Sequence, residues 1–284
     1  MYKRPITPAF RVALVSSLLL ANASVWGQEA SPYSVLNFSS QPAAAPDWIV
    51  TLGAGAQYGP SYEGASKTNF SVLPSDLDIR RAGEPEGFSA PDDAFTYSVF
   101  DSNGFSFGPA ADFRAGRSRS DDRSLAGLHS LPFTIDAGVF GEYWFIEDRL
   151  RAHVEIRQAL HGQQGMVADL SADWVQPYQA FTFSLGPRMS LANGTYMRNS
   201  FSVSNGEAAQ NGLVTPYRAT SGVKSVGALA SAAYRFNPAW KATLYYKYDR
   251  LVGNAADSPI VSRIGSSNQS TVGLDLSYSF GVKF

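Results

Sequence analysis

The chain has 284 residues, a net charge of -1, 13% aromatic residues and no cysteine. The near-neutral charge offers no global basic surface for nucleic acid, and the lack of cysteine excludes disulfides and thiolate metal sites. The 25 glycines and 16 prolines leave few long helical windows. Composition alone does not define the fold class, so the order of polar and apolar residues along the chain is needed.

The first segment has the organisation of an export signal. A positive start with Lys3 and Arg4 precedes an apolar run at residues 12–20 and an Ala-x-Ala cleavage site at residues 21–23. The apolar run is roughly half of the ~20 residues that a spanning helix needs, which disfavours an uncleaved anchor. We predict a cleaved signal peptide over residues 1–23.

Residues 24–46 form a second segment with no strand-like alternation. Its stretch at residues 28–46 is rich in Ser, Ala, Pro and Gln, a composition typical of chain that orders only on binding. We predict a flexible periplasmic segment, and a passive spacer is the alternative.

Beyond residue 46 the chain alternates with period two, in blocks close to the ~10 residues of a tilted membrane strand. From Phe105 to Ala115 the odd positions are apolar, and polar or small residues fill the even ones. Similar blocks lie at 48–58, 135–145, 150–157, 166–174, 181–191, 226–236, 240–248 and 272–284. A soluble sandwich or lipocalin-like barrel also alternates, but long strands with aromatic ends, joined by short turns and long polar loops, favour an outer-membrane barrel. We predict an all-β fold, a single antiparallel transmembrane β-barrel over residues 47–284, in the outer membrane.

The readable strands number about eleven, whereas a single-chain bacterial barrel has an even number. We place the missing strand at residues 86–90, between the strands predicted at 69–81 and 94–100. This gives twelve strands, and ten is the alternative if the region is irregular.

Connection lengths orient the predicted barrel, because short turns lie in the periplasm and long loops outside. The short connections are 101–104, 146–149, 176–180 and 237–239, and the long ones are 116–133, 192–223 and 251–269. This orientation places an aromatic rim at the periplasmic interface. The rim consists of Trp48, Trp144, Trp174 and Trp240, with Trp144 pointing toward the lumen.

The last strand is predicted to close the barrel against the first, so that no strand edge is left unpaired in lipid. Its outward row includes Tyr278, Phe280 and Phe284. A row that ends in a terminal aromatic resembles the signal by which the outer-membrane insertion machinery recognises its clients.

Charged side chains of both signs occupy the inward rows and predict a lumen cross-linked by ion pairs. They are Asp112, Arg114, Asp136, Glu142, Arg151, His153, Glu155, Arg157, Asp169, Asp173 and Arg188. A hairpin centred on residues 146–149 places His153 opposite Glu142. Such side chains predict a narrow or plugged barrel rather than a wide porin, and a small-solute pore remains the alternative.

The sequence gives no indication of catalysis. None of the three histidines lies in a Gly-x-Ser-x-Gly motif: His129 and His161 are assigned to loops and His153 to the lumen. No histidine cluster or carboxylate spacing indicates a metal site. We predict a protein that is not an enzyme and needs no cofactor.

Three motifs carry a resemblance to a known family. They are Gly-Pro-Ser-Tyr-Glu-Gly-Ala at 59–65, His-Gly-Gln-Gln-Gly-Met-Val-Ala-Asp-Leu-Ser at 161–171 and Asn-Ala-Ala-Asp-Ser-Pro-Ile-Val at 254–261. Tyr196-Met197 and residues 222–227 add weaker matches. Over residues 47–284 the chain resembles the MipA/OmpV family of outer-membrane proteins. It departs from the family at its end, where Phe280 of a Tyr-x-Phe is followed by four more residues.

The resemblance implies a scaffold. The family is named for a member that resembles a scaffold bridging a lytic transglycosylase and a bifunctional peptidoglycan synthase, while other members are described as surface antigens or adhesins. We therefore expect a non-enzymatic docking protein for periplasmic peptidoglycan-remodelling enzymes. A narrow channel and a surface adhesin are the alternatives. The expected partners are outer-membrane lipid, the insertion machinery and those enzymes, which would contact residues 28–46 and the short turns.

Overall fold

The computed structural model describes residues 46–162 and 164–283. The predicted signal peptide, nearly all of the segment 24–46, and Phe284 lie outside the described residues. Their assignments stay predictions.

Twelve β-strands form one antiparallel sheet, which confirms the predicted all-β barrel. The strands are β1 Trp48–Pro60, β2 Thr68–Arg81, β3 Phe95–Thr96, β4 Phe100–Ser102, β5 Phe105–Arg114, β6 Thr134–Ile146, β7 Leu150–Ala159, β8 Met166–Tyr178, β9 Phe181–Ala192, β10 Gly222–Arg235, β11 Trp240–Leu251 and β12 Asn268–Val282. Each strand from β5 to β12 pairs with the next, and β12 pairs with β1 from Trp48 opposite Val282 to Tyr58 opposite Val272. First and last strands therefore meet, as predicted.

Burial alternates along the strands with apolar side chains outside and polar side chains inside. On β7 the inward Arg151 and Glu155 are 1% and 2% exposed, whereas the outward Ile156 is 45% exposed. A water-soluble protein has the opposite distribution, so the outer surface is one that faces lipid. In the described part of the chain, every helix is too short or too polar to cross a membrane.

The short connections predicted from sequence are also the short ones in the structure, and they lie together at one end of the barrel. We call this the turn end, and it is the end that the sequence predicts to lie in the periplasm; the opposite end is the loop end. At the turn end Asn103 and Asp148 adopt left-handed backbone conformations, with φ of 53° and 56°. Asn and Asp tolerate this conformation better than other non-glycine residues, which allows such tight turns.

The strand predicted at residues 86–90 is wrong. Residues 85–90 have no regular secondary structure, and the chain between β2 and β3 lies inside the barrel, as the contacts below show. We call residues 82–94 the plug. The strand predicted at 94–100 is instead broken into β3 and β4, which both pair with β5. The number of strands is still twelve, because this one predicted strand is divided into two.

The plug explains why the sequence pattern showed an odd number of wall segments. Because neighbouring strands alternate in direction from β5 round to β2, and β3 and β4 are antiparallel to β5, the segments β2 and β3–β4 run in the same direction. Both run toward the turn end. The chain returns between them through the lumen rather than through the wall.

Four short helices in the long connections form a cap over the loop end. They are α1 Gly194–Phe201, α2 Asn205–Asn211, α3 Gly253–Ala256 and α4 Pro259–Ser262. Polar residues start three of them: Asn193 caps α1, Ser204 forms a capping box with Glu207 on α2, and Ser258 caps α4. The core of the cap is apolar, since Met197, Phe201 and Ile260 are all 0% exposed.

Candidate functional site

The plug is fixed at three levels of the lumen, beginning at the turn end. Glu86 accepts hydrogen bonds from Lys241 Nζ at 2.5 Å and from Arg235 Nη2 at 2.7 Å, and Arg80 Nη2 lies 3.8 Å from the same carboxylate. The cations come from β2, β10 and β11. One plug carboxylate therefore ties three wall strands together.

The middle level is centred on Arg151 of β7. Its Nη2 lies 2.6 Å from Asp93 of the plug and its guanidinium carbon lies 4.7 Å from the centroid of the Phe88 ring. Phe88 also meets Trp144 edge to face at 6.3 Å between ring centroids. Arg151 continues into the wall, with Glu142 at 2.8 Å and Asp173 at 3.0 Å. A single buried cation thus joins the plug to three strands.

The upper level joins the plug to the opposite wall. Asp92 lies 3.0 Å from Arg188 Nε on β9 and 3.0 Å from Lys247 Nζ on β11. The backbone N–H of Ala94 donates to Glu155 Oε1 at 2.8 Å. The plug therefore contacts both sides of the barrel before it leaves the lumen at Phe95.

The eleven charged and histidine side chains singled out in the sequence all lie in this lumen. Arg157 contacts Asp112 at 2.8 Å, Glu155 at 2.5 Å and Asp169 at 2.5 Å. Arg188 contacts Asp173 at 2.9 Å. A further pair joins Arg114 and Asp136.

His153 lies between two carboxylates. Its Nδ1 is 3.2 Å from Glu142 Oε2 and its Nε2 is 2.9 Å from Glu155 Oε1, and the ring stacks on Phe140. Ligand atoms of Asp93, His153 and Glu155 all lie within 4.8 Å of one another, close enough to hold a metal ion. However, Arg151 already contacts Asp93, so a metal would have to displace existing ion pairs. The chemistry of this cluster is that of a buried salt-bridge network.

A cavity of about 370 Å³ lies in the lumen between the plug and the cap. At its loop end Lys224 Nζ lies 2.6 Å from Glu63 Oε1, and Tyr196 Oη donates to Glu63 Oε2 at 2.8 Å. Burial, followed by the Glu63 charge, raises the pKa of Tyr196 on α1 to about 12, so this hydroxyl remains a donor at neutral pH. The cap is thereby connected to the lumen by polar contacts.

The predicted rim tryptophans lie at the turn end. Trp174 and Trp240 are exposed on the outer face, and Trp240 contacts the ring of Tyr278 at 4.7 Å between centroids. Trp144 points inward and donates from Nε1 to Glu142 at 2.8 Å. Trp48 begins β1, where the Arg81 guanidinium lies 5.5 Å from its ring. Tyr278 stacks on Phe280 on the outer face of the closing strand.

Sequence reasoning missed the plug residues Glu86, Phe88, Asp92 and Asp93, and the lysines that hold them. Carboxylates within a Pro- and Gly-rich stretch between two strands were the available signal. A strand was inferred instead from the even strand number expected of a barrel. That inference assumed that the segment returning to the loop end lies in the barrel wall.

Comparison with solved structures finds similar chains among outer-membrane proteins. Neisserial surface protein A is 12% identical over 84% of this chain and 100% of its own, with a TM-score of 0.28. An outer membrane channel from Pseudomonas putida F1 is 11% identical over 89% of this chain and 100% of its own, with a TM-score of 0.41. OmpT of Vibrio cholerae, in a loop-deletion form, is 8% identical over 82% and 98%, with a TM-score of 0.34.

A comparison with curated proteins finds no significant match. The family model described as "MltA-interacting protein MipA" matches residues 52–280, which covers the barrel from β1 to β12. The matched range includes the plug, the lumen network and the cap. The chain therefore belongs to the MipA family, and it is an outer-membrane β-barrel.

Proposed function

We propose that this protein is a non-enzymatic docking platform in the outer membrane for a periplasmic peptidoglycan-remodelling enzyme. The family description supports the class of partner, because it names an interaction with MltA. The resemblance described above supports a lytic transglycosylase, with a peptidoglycan synthase as a second partner.

The anchored plug is the observation that carries this proposal. Ion pairs hold the plug at Glu86, Asp92 and Asp93, and a cap with an apolar core covers the loop end. Selective pores need a lumen through which solutes pass. A lumen that is crossed by its own chain and covered at the loop end favours a static platform over a general pore.

The platform surface is the turn end. It comprises the turns at 103–104, 147–149, 179–180 and 237–239, with the exposed base of the plug at 82–85. Glu84, Glu147 and Asp148 are exposed at this end, together with the cation Arg81. We also propose that residues 28–46, which directly precede β1 in the sequence, form a flexible part of the contact.

The contacts of His153 and His129 favour structural roles for these two side chains. His153 is held between carboxylates, and His129 contacts Glu207 at 2.5 Å and the Asn199 carbonyl at 2.8 Å. A hydrolase base needs a nucleophile within hydrogen-bond reach. Neither ring has a hydroxyl nucleophile as its partner.

Binding in reconstituted membranes tests the proposal. The full-length protein in lipid nanodiscs should bind a lytic transglycosylase of the MltA type. The charge reversals Glu147→Lys and Asp148→Lys, and separately deletion of residues 31–45, should each weaken binding several-fold because they change the turn-end surface. Arg263→Glu, an exposed change in the cap, is the matched control and should bind like the wild type.

Two results would contradict this proposal. One is undiminished binding in both turn-end variants, and the other is an equal loss in the cap control. Stable ion-selective steps from the wild-type protein in a planar bilayer would instead favour the narrow channel, for which the cavity between plug and cap is the supporting feature.

A further inference from the structure

The barrel wall contains a seam between β2 and the β3–β5 side. The sheet ends at β2 on one side and at β3, with β4, on the other, and no ladder joins these ends. Both flanking segments run toward the turn end, so the antiparallel pairing used elsewhere in this wall cannot close the gap. The seam is therefore built into the connectivity of the chain.

Near the turn end, a short stretch of chain lines the β5 side of the seam. There the chain from Phe95 to Ser102 lines β5, with backbone hydrogen bonds from Tyr97 to Pro109 at 3.1 Å and from Val99 to Phe107 at 3.0 Å. Above Phe95 no strand lies beside β5 on this side in the described chain. β5 is therefore open on this side from Asp112 to Arg114, the part of the strand nearest the loop end.

A cavity of about 290 Å³ occupies this opening. Leu73, Pro74 and Ser75 of β2 form one side of it, Phe95, Asp112 and Phe113 form the other, and Pro91 and Asp92 of the plug lie behind. Because its lining combines lipid-facing and lumen-facing residues, the cavity connects the bilayer with the lumen. We call it the lateral window.

Apolar side chains line both sides of the lateral window. Phe113 meets Phe95 edge to face at 5.8 Å and stacks on Phe133 at 5.8 Å, and Phe70 on the other side is 67% exposed. Leu73 is opposite Gly55, whose partner on β12 is the lumen-facing Asp275, so Leu73 also faces inward, and it is 40% exposed. An apolar side chain breaks the polar lumen row at the place where the wall is open.

The inner lining of the lateral window is acidic. It includes Asp92, Asp112, Asp249 and Asp275, with Lys247 as the cation among them. Arg188 and Lys247 pair with Asp92, Arg157 pairs with Asp112 and Lys247 lies 3.3 Å from Asp249. The side-chain carboxylate of Asp275 has no hydrogen bond or ion pair among the described residues, although its backbone pairs with β1 and β11. A carboxylate without an ion-pair partner therefore faces a cavity that opens to lipid.

We propose that the lateral window binds an acyl-chain amphiphile with an ammonium headgroup, whose head lies in the lumen beside Asp275 while its chain passes between Leu73 and Phe113 into the bilayer. Lipid is the occupant because the window lies in the lipid-facing wall. A strand from a second chain is disfavoured because Pro74 has no N–H to donate, and because Ser75 is an extra residue in β2 without a partner on β1, which makes the strand irregular at this position. An anionic head would meet the acidic lining and be repelled.

Photolabelling of the full-length protein in vesicles tests the proposal. Two probes are compared, phosphatidylethanolamine and phosphatidylglycerol, each with a diazirine in the middle of the same acyl chain, and adducts are located by mass spectrometry. Leu73 should be labelled, with about threefold more adduct from phosphatidylethanolamine, the ratio expected for one partly exposed ion pair. Outward Leu274 should be labelled equally by both probes, and lumen-facing Ser231 on β10 by neither.

Asp275→Asn should make the two probes equal at Leu73. Asp76→Asn is the matched control, since this lumen carboxylate already pairs with Lys241 at 3.2 Å, and it should keep the preference. Three wild-type results would each overturn the proposal, so it does not depend on the folding of a variant. They are no adduct at Leu73, equal labelling there by both probes, and crosslinks between two copies in place of lipid adducts.

Discussion

The plug and the cap both obstruct the barrel, but different forces hold them. The plug is held by charges: Asp92, Asp93 and Glu86 meet arginine and lysine side chains from the wall. The cap is held by packing, with Met197, Phe201 and Ile260 fully buried. Ion pairs respond to loss of one partner, whereas an apolar core responds to loss of volume. Each region should therefore fail in its own way.

The largest effect is expected from Arg151→Met. This change leaves the carboxylates of Asp93, Glu142 and Asp173 without their common cation, and removal of one partner of a buried ionic cluster costs about 3–5 kcal/mol. Urea unfolding in lipid vesicles, followed by tryptophan fluorescence, measures the loss. Arg235→Ala is the control, since it removes one half-exposed contact to Glu86 and should cost less than about 1 kcal/mol. Similar midpoints for the two variants would show that the lumen network is not what holds the barrel.

Phe201→Ala should produce a smaller and local effect. The lost packing of a buried phenylalanine costs about 3 kcal/mol, but it falls on the cap, whose helices are not part of the sheet. Hydrogen exchange should therefore rise in residues 194–211 and 253–262 while β-strand protection is retained. Loss of strand protection would mean that the cap and the barrel unfold as a single cooperative unit, which would contradict a separately stabilised cap.

The double change Asp92→Asn and Asp93→Asn should loosen the plug alone. Hydrogen bonds to charged groups contribute about 2 kcal/mol each, so exchange within residues 82–94 should accelerate while the cap stays protected. Bilayer recordings should then show transient conductance that the wild type lacks. Continued silence together with fast exchange would mean that the cap by itself blocks ion flow.

The smallest effect concerns acid and the cap. Burial alone would raise the pKa of Glu207, but hydrogen bonds from Ser204 and His129 outweigh it and lower this pKa to about 2. Because the folded-state value lies below the unfolded value of about 4.3, the contribution is full above about pH 4 and is lost as the pH falls toward 2. Exchange of α2 amides should rise over this range, and Glu207→Gln should remove the dependence. A pH-independent α2 would contradict the assignment.

Strand positions could be predicted because alternation is a local property. Phe105 to Ala115 shows its two faces without any knowledge of neighbours, and the turn at residues 146–149 is short enough to fix register, so Glu142 opposite His153 follows and the structure has this pair. The even strand number expected of a barrel also indicated that one segment running back to the loop end was missing between β2 and β5. Each of these inferences needs only period and spacing.

The plug and the cap could not be predicted because neither has a period. The role of Asp92 and Asp93 depends on their ion pairs with Arg188, Lys247 and Arg151. These partners are 58 to 155 residues away in the chain, so the pairs cannot be inferred from local sequence. The cap helices are four to eight residues long, too short to show an amphipathic pattern. Their polar starting residues are also common in loops.

The path of the plug limits how the lumen can change. A plug formed by a free chain end can leave its barrel whole, but residues 82–94 continue into β2 at one end and into β3 at the other. This segment is therefore fixed at both ends. It can bow or shift sideways, and complete removal would require β2 to leave β1 or β3 to leave β5. Any solute that crosses this barrel would therefore pass around the segment. The width of that path depends on how far residues 82–94 can shift.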